Sequence, residues 1–148
     1  MTPSTQATNL FSLVSRALIA LLFIPYGFGM ITGFDGTVRY ITSAHVPLPE
    51  LAAVIGIVVE LGLGILLLVG YQTRWVALAM ALFVVVLPFI FHQYWNVPAA
   101  QVMAQKINFY KDLAIAGGLL SIATWGAGAW SIDGMRERVP AGGAIRAA

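Results

Sequence analysis

Long apolar runs separated by short polar segments dominate the chain, and this pattern predicts helices that span a membrane. About twenty apolar residues suffice to cross the hydrocarbon core of a bilayer as an α-helix. The predicted spans cover residues 10–33, 51–70, 75–92 and 107–130. A short interfacial helix is also predicted between the first two spans, over residues 38–45. The expected fold is therefore all-α, an integral membrane four-helix bundle that forms a single domain over residues 1–148.

Composition supports a membrane protein and excludes several classes of catalytic and metal-binding site. Hydrophobic residues make up 59% of the chain and charged residues only 9%, whereas soluble domains carry about a quarter charged residues. The chain has no cysteine, which excludes disulfide relays, thiolate catalysis and Cys-ligated zinc or iron–sulfur clusters within it. The formal net charge is only +2, and no basic patch with interleaved aromatic residues indicates nucleic-acid binding.

The distribution of basic residues predicts the orientation of the spans. An even number of spans places both termini on one side of the membrane, together with four arginines: Arg74, Arg136, Arg138 and Arg146. The other side holds Arg39 and Lys106 in its loops. Because basic residues are enriched on the cytoplasmic side, both termini are predicted to be cytoplasmic. The polar segment after residue 130 is expected to be a tail.

The second span carries one charge, Glu60, near its middle. A carboxylate at that depth is costly and has to face protein, a cavity or a counter-ion. At ~1.5 Å per residue, Glu60 lies roughly 13 Å into the span and Lys111 roughly 6 Å into the fourth span. Arg16 lies roughly 20 Å from the same outer boundary, so both cations are expected within reach of Glu60. The candidates for a ligand-binding site or proton relay are Glu60, Arg16, Lys111, Asp112, His92, Tyr26 and Asn108.

Structural alternatives exist for these residues. Buried charge pairs can fix the register of membrane helices without performing chemistry. Arg16 is also close enough to its end of the span to reach the headgroup region. His45 is expected at headgroup level, and no metal site is predicted.

The arrangement resembles the DoxX family of small bacterial four-helix inner-membrane proteins along nearly the whole chain. The matching pieces are Arg16, Gly27 and Gly33-Phe34, Pro47-Leu48-Pro49, Glu60-Leu61-Gly62, Thr73-Arg74, Phe91-His92, Asn108-Phe109 with Lys111, Gly117-Gly118 and Ser131-Ile132-Asp133. Their order and spacing carry the resemblance. Tyr26 and Met30 stand where family members often have His and Lys, and Asp112 stands where they often have Asn. The resemblance implies a multi-pass protein of the bacterial inner membrane.

Three functions are compatible with these sequence features and with the resemblance. Family members are linked to membrane oxidoreductase systems, including a thiosulfate-oxidising, quinone-reducing enzyme and a redox-stress complex, so the resemblance favours a subunit of, or accessory to, a quinone-linked system. Such a role needs a soluble or membrane redox partner, and quinone is the candidate cofactor because nothing indicates a covalent one. The alternatives are a structural partner that assembles another membrane protein and an oligomeric transporter for a small solute or protons. The residues leave open whether the chain is an enzyme and whether it forms a homo-oligomer.

Overall fold

The computed structural model describes residues 5–138, and this range is helical without any strand. The helices are α1 (Thr5–Thr32), α2 (Phe34–Ser43), α3 (Pro49–Ile57), α4 (Gly64–Val69), α5 (Thr73–Phe91), α6 (Ala99–Trp125) and α7 (Ile132–Arg138). A π-helical segment, Val58–Leu63, joins α3 to α4, so these three pieces form one continuous helix. The all-α prediction is confirmed.

Three helical stretches in the described range are long and apolar enough to cross a membrane: Gln6–Thr32, Pro49–Val69 and Thr73–Asn96. The membrane prediction is therefore confirmed. The fourth long helix, α6, has 27 residues, but its first half carries Lys106, Lys111 and Asp112 and is less apolar. That α6 also crosses the membrane stays a prediction.

Several helix bounds differ from those expected. Helix α6 begins at Ala99, eight residues before residue 107, because Pro98 stands directly before the helix, where the missing N–H of proline costs nothing. It ends at Trp125, where Gly126 adopts a φ of +79° that favours glycine. The polar segment after residue 130 is not simply a tail, since α7 forms within it. Arg146 lies outside the described residues.

The core lies between α5 and α6 and extends to α1 and α4. Residues on one face of α5 are almost completely buried, including Ala77, Met80 and Val84, and they pack against Leu119 of α6 and Leu67 of α4. The core-facing side of α5 alternates small and large side chains, which lets neighbouring helices approach closely.

The ends of the described chain meet at one end of the molecule. The side chain of Asn9, in α1, accepts a hydrogen bond from the Ala129 amide at 2.8 Å. The Ser12 hydroxyl donates to the Gly126 carbonyl at 3.3 Å. Helix α2 and the connection between α5 and α6 lie at the opposite end, where Tyr40 of α2 stacks on Phe91 of α5.

Candidate functional site

A cavity of about 830 Å³ lies beside α2, enclosed by α1, α3, α5 and α6. Ligand pockets in proteins typically occupy ~300–1,000 Å³ and combine apolar walls with a few polar groups. Most of the surface that lines this cavity is apolar, as in typical ligand pockets. Tyr26, Ile55 and Val86 line the cavity and are themselves exposed, so the cavity opens onto the apolar outer surface of the helices.

Six of the seven candidate residues line this cavity: Tyr26, Glu60, His92, Asn108, Lys111 and Asp112. They come from four helical stretches that are far apart in the sequence. Depth along each helix placed these residues at different levels of the same half of the membrane, because ~1.5 Å of rise per residue applies to every helix, and one cavity spans those levels.

His92 ends α5 and is held between two residues of α6. Its Nδ1 lies 2.8 Å from Oε1 of Gln105, at hydrogen-bond distance. Its Nε2 lies 3.6 Å from Oδ2 of Asp112. The ring is therefore oriented from one side by Gln105 and faces a carboxylate on the other.

Lys111 occupies a more open position than its neighbour Asp112. The Lys111 side chain is 45% exposed, against 11% for Asp112. Its Nζ donates to Oδ1 of Asn108 at 3.1 Å and lies 4.0 Å from Oδ1 of Asp112. Lys111 thus supplies a positive charge at the cavity that retains free donor capacity, because an ammonium group has three N–H donors.

Glu60 lies within the π-helical segment. Its Oε2 atom is buried and has no hydrogen-bond partner within the described range, although buried polar atoms are normally paired. Asp112 lines the same cavity, which therefore holds a second carboxylate. The cavity therefore contains an unpaired carboxylate oxygen in a setting that favours a proton donor beside it.

The π-helical segment is packed directly against α1 at Gly27. A Cβ atom at Gly27 would lie 2.5 Å from the backbone nitrogen of Leu61 and 2.8 Å from its Cβ. No side chain fits there, so the backbones of the two helices are in direct contact. Single π-helical turns within α-helices are rare and occur frequently at functional sites.

Sequence reasoning missed two residues of this site, Tyr40 and Gln105. Tyr40 lines the cavity from α2, and its ring stacks on Phe91 at 5.3 Å between centroids with 17° between planes. Gln105 precedes Asn108 and Asp112 by three and seven residues on α6, which places all three on one helical face. That spacing could have predicted that Gln105 belongs to the site. For Tyr40, the sequence offers only the amphipathic pattern of α2.

The prediction that Arg16 lies with Glu60 is wrong. Arg16 is 0% exposed, but its guanidinium group turns towards the opposite end of the molecule. It donates to the carbonyl oxygens of Leu68 at 2.6 Å and Trp130 at 2.7 Å, with a longer bond of 3.4 Å to Leu67. The cation binds at the C-terminal end of α4, where helix carbonyls lack partners and the helix dipole is negative.

Asp133 completes a structural unit around Arg16. Its carboxylate accepts hydrogen bonds of 2.8 Å from the Gln72 amide, the Thr73 amide and the Thr73 hydroxyl, and so caps α5. Partial burial opposes ionisation, but these hydrogen bonds and the charge of Arg136 outweigh it and hold the pKa of Asp133 below its ordinary value. We call Arg16, Thr73, Trp130 and Asp133 the clasp, because they tie α1, α4 and α5 to the segment that follows α6.

The described residues thus define a small helical membrane protein with a polar cavity at one end and a clasp at the other. Comparison with known proteins identifies its family. The family model DoxX matches residues 11–93, and the chain belongs to that family. The predicted resemblance is confirmed.

Two relatives from Escherichia coli strain K12 match most of the chain. Inner membrane protein YphA is 40% identical over 121 residues, which is 82% of this chain and 86% of the relative. Inner membrane protein YqjF is 40% identical over 124 residues, or 82% of this chain and 88% of the relative. No solved structure matches. The protein is therefore a multi-pass protein of the bacterial inner membrane, as predicted.

Proposed function

We propose that this DoxX-family protein binds the headgroup of a quinone in its cavity and serves as a subunit of, or accessory to, a quinone-linked oxidoreductase system of the inner membrane. The observation that carries the proposal is the buried, unpartnered Oε2 of Glu60 at a cavity with apolar walls. A quinone combines an apolar ring and tail with polar oxygens, which suits such a cavity.

The residues of the cavity fit both oxidation states of this ligand class. Lys111 and Tyr26 line the cavity and carry donors for a carbonyl oxygen. Glu60 accepts a hydrogen bond from the hydroxyl group of a quinol, which gives its buried oxygen a partner. Because reduction of a quinone takes up two electrons and two protons, Glu60, Asp112 and His92 are placed to supply protons. The electrons come from a redox partner, since the chain contains no cysteine and only two histidines.

The proposal includes a four-span topology in which α6 crosses the membrane and both termini are cytoplasmic. Helix α6 is long enough to cross at ~1.5 Å per residue, and Asp112 faces the protein interior, 3.6 Å from Nε2 of His92, instead of lipid. The cavity then lies in the periplasmic half of the membrane. Reporter fusions after residue 45 and at the C-terminus test this orientation, which predicts opposite sides for the two positions.

The binding proposal is tested with native-lipid particles that contain wild-type protein, Glu60→Gln or Glu50→Gln. Both variants remove one carboxylate charge from the same continuous helix, but Glu50 is exposed and does not line the cavity. Quinones and quinols that co-purify are quantified by mass spectrometry, and a short-chain quinol is then titrated into each sample under reducing conditions. Circular dichroism and size-exclusion chromatography establish that each variant is folded.

We expect wild type and Glu50→Gln to retain quinone or quinol, and Glu60→Gln to bind the quinol at least tenfold more weakly. That factor corresponds to about 1.4 kcal/mol, close to the lower end of the ~1.5–3 kcal/mol contributed by one hydrogen bond to a charged group. Absence of both quinone and quinol from folded wild-type protein, or equal binding by all three proteins, would contradict the proposal.

A role in holding another membrane helix is the second candidate, and one observation favours it. Gly29, Gly62 and Gly117 are exposed, and a Cβ atom at each would meet nothing within 4 Å. Exposed glycines on helices give another helix, from a partner protein or a second copy of this chain, a place for close approach. This role predicts that Gly62→Leu breaks association with a partner, while Glu60→Gln leaves association intact.

A further inference from the structure

A second concave surface lies at the clasp end of the molecule, remote from the quinone cavity. It encloses about 710 Å³ between the start of α5, the end of α6 and α7. Three arginines line it, Arg74, Arg136 and Arg138, and all three are exposed. None of them forms a salt bridge within 4.0 Å to a carboxylate of residues 5–138. We call this surface the arginine groove.

Two tryptophans flank the arginine groove and place it at the membrane interface. Trp75 begins the apolar run of α5 and is 73% exposed, and Trp125 ends α6 and is 82% exposed. Tryptophans concentrate where the hydrocarbon core meets the headgroups, because the ring is apolar and its N–H is polar. Because the arginines line the same groove as these tryptophans, we expect them at the depth of lipid phosphates.

The arginine groove carries a small net positive charge, and the carboxylate that it shares with the clasp is occupied by other hydrogen bonds. Its lining includes three arginines and two acids, Asp133 and Glu137, for a net charge of +1. The Asp133 carboxylate is already occupied by its three hydrogen bonds to Gln72 and Thr73. Arg136 lies over the ring of Tyr71, with Cζ 5.1 Å from the centroid, which holds its guanidinium group at the groove.

Local backbone shape gives the Arg74 side chain room. Gly126 has a φ of +79°, and a Cβ atom there would lie 3.4 Å from Nε of Arg74. The turn after α6 therefore brings its backbone alongside the Arg74 side chain.

We propose that the arginine groove binds the headgroup of an anionic phospholipid from the leaflet at this end of the molecule. Guanidinium groups bind phosphate oxygens in bidentate fashion, and a headgroup with one negative charge complements the net charge of +1. The flanking tryptophans contact the glycerol and the upper acyl chains. A lipid bound here bridges α5, α6 and α7 and supports the clasp from outside.

The test measures lipid retention by native mass spectrometry after the protein is equilibrated with equal amounts of phosphatidylglycerol and phosphatidylcholine. The test variant is Arg136→Gln with Arg138→Gln. Its control is Arg39→Gln with Lys106→Gln, which removes the same charge from exposed residues outside the groove. The two pairs also match in aromatic contacts, since Lys106 Nζ lies 6.0 Å from the centroid of Tyr94. All substituted residues are exposed, and circular dichroism verifies helix content.

We expect wild type and the control to retain phosphatidylglycerol preferentially and the test variant to lose about tenfold or more of that preference, because two guanidinium groups beside the lipid phosphate are removed. The proposal is wrong if wild type shows no preference or if both variants lose the preference equally. It is also wrong if millimolar inorganic phosphate displaces the lipid, since the groove would then bind free phosphate. Because the groove and the quinone cavity share no residue, either proposal can fail without the other.

Discussion

Replacing Gly27 with alanine is expected to push α1 away from the π-helical segment. The added Cβ would lie 2.5 Å from the Leu61 nitrogen and 3.0 Å from the Leu61 Cα. Ordinary contacts of a Cβ atom begin at 3.4 Å, so the helices have to separate by nearly 1 Å. The obstacle is backbone, which cannot rotate aside as a side chain does. Overpacking of this kind costs ~1–3 kcal/mol, and the separation also moves the segment that carries Glu60.

Gly29→Ala is the matched control, because it makes the same change two residues along α1 and its Cβ meets nothing within 4 Å. Both variants are unfolded with a denaturing detergent, and the free energy of unfolding is compared with that of wild type. We expect Gly27→Ala to be less stable than Gly29→Ala by at least about 1 kcal/mol and to bind quinone more weakly. Equal stability of the two variants would refute the direct contact of the two backbones.

Three further predictions concern the clasp and the cover of the cavity. Arg16→Leu leaves its carbonyl partners unpaired and is expected to lower the free energy of unfolding by about 3 kcal/mol or more, while Arg16→Lys, which keeps the charge, lowers it less. The lowered pKa of Asp133 stabilises the fold fully above its unfolded pKa of ~4, and this contribution is lost as the pH falls through the lower native value. Denaturation curves of Asp133→Asn are therefore expected to lack that part of the acid sensitivity of wild type. Tyr40→Ala removes the stacking on Phe91, worth ~0.5–1.5 kcal/mol, so amide hydrogens of α2 are expected to exchange roughly two- to tenfold faster, and unchanged exchange would contradict a covering role for α2.

Glu60 and Arg16 show what the position of a residue along a helix can and cannot predict. Depth along a helix is fixed by residue count, and this was enough to group Glu60 with Lys111, Asp112 and His92. The same reasoning failed for Arg16, because depth does not give the direction in which a long side chain turns. Its carbonyl partners at the end of α4 and at Trp130 have no signature in the sequence.

The pattern of apolar residues also could not predict local backbone features. The π-helical segment around Glu60 has the same composition as an α-helical span, so periodicity could not indicate it. Helix α7 was missed because it is seven residues long and polar, and its position depends on the bonds of Asp133 to α5, which are formed only in the folded chain.

The clasp has a consequence for how the protein is made. Arg16 belongs to α1, but its partner carbonyl at Trp130 is 114 residues further along the chain. Until that late segment is synthesised, a charge in the first helix has no complete set of acceptors, so it has to remain near the lipid headgroups. Insertion of α1 to its final depth is therefore completed only after residue 130 has been translated, and chains truncated before that residue are expected to be substrates for membrane proteases.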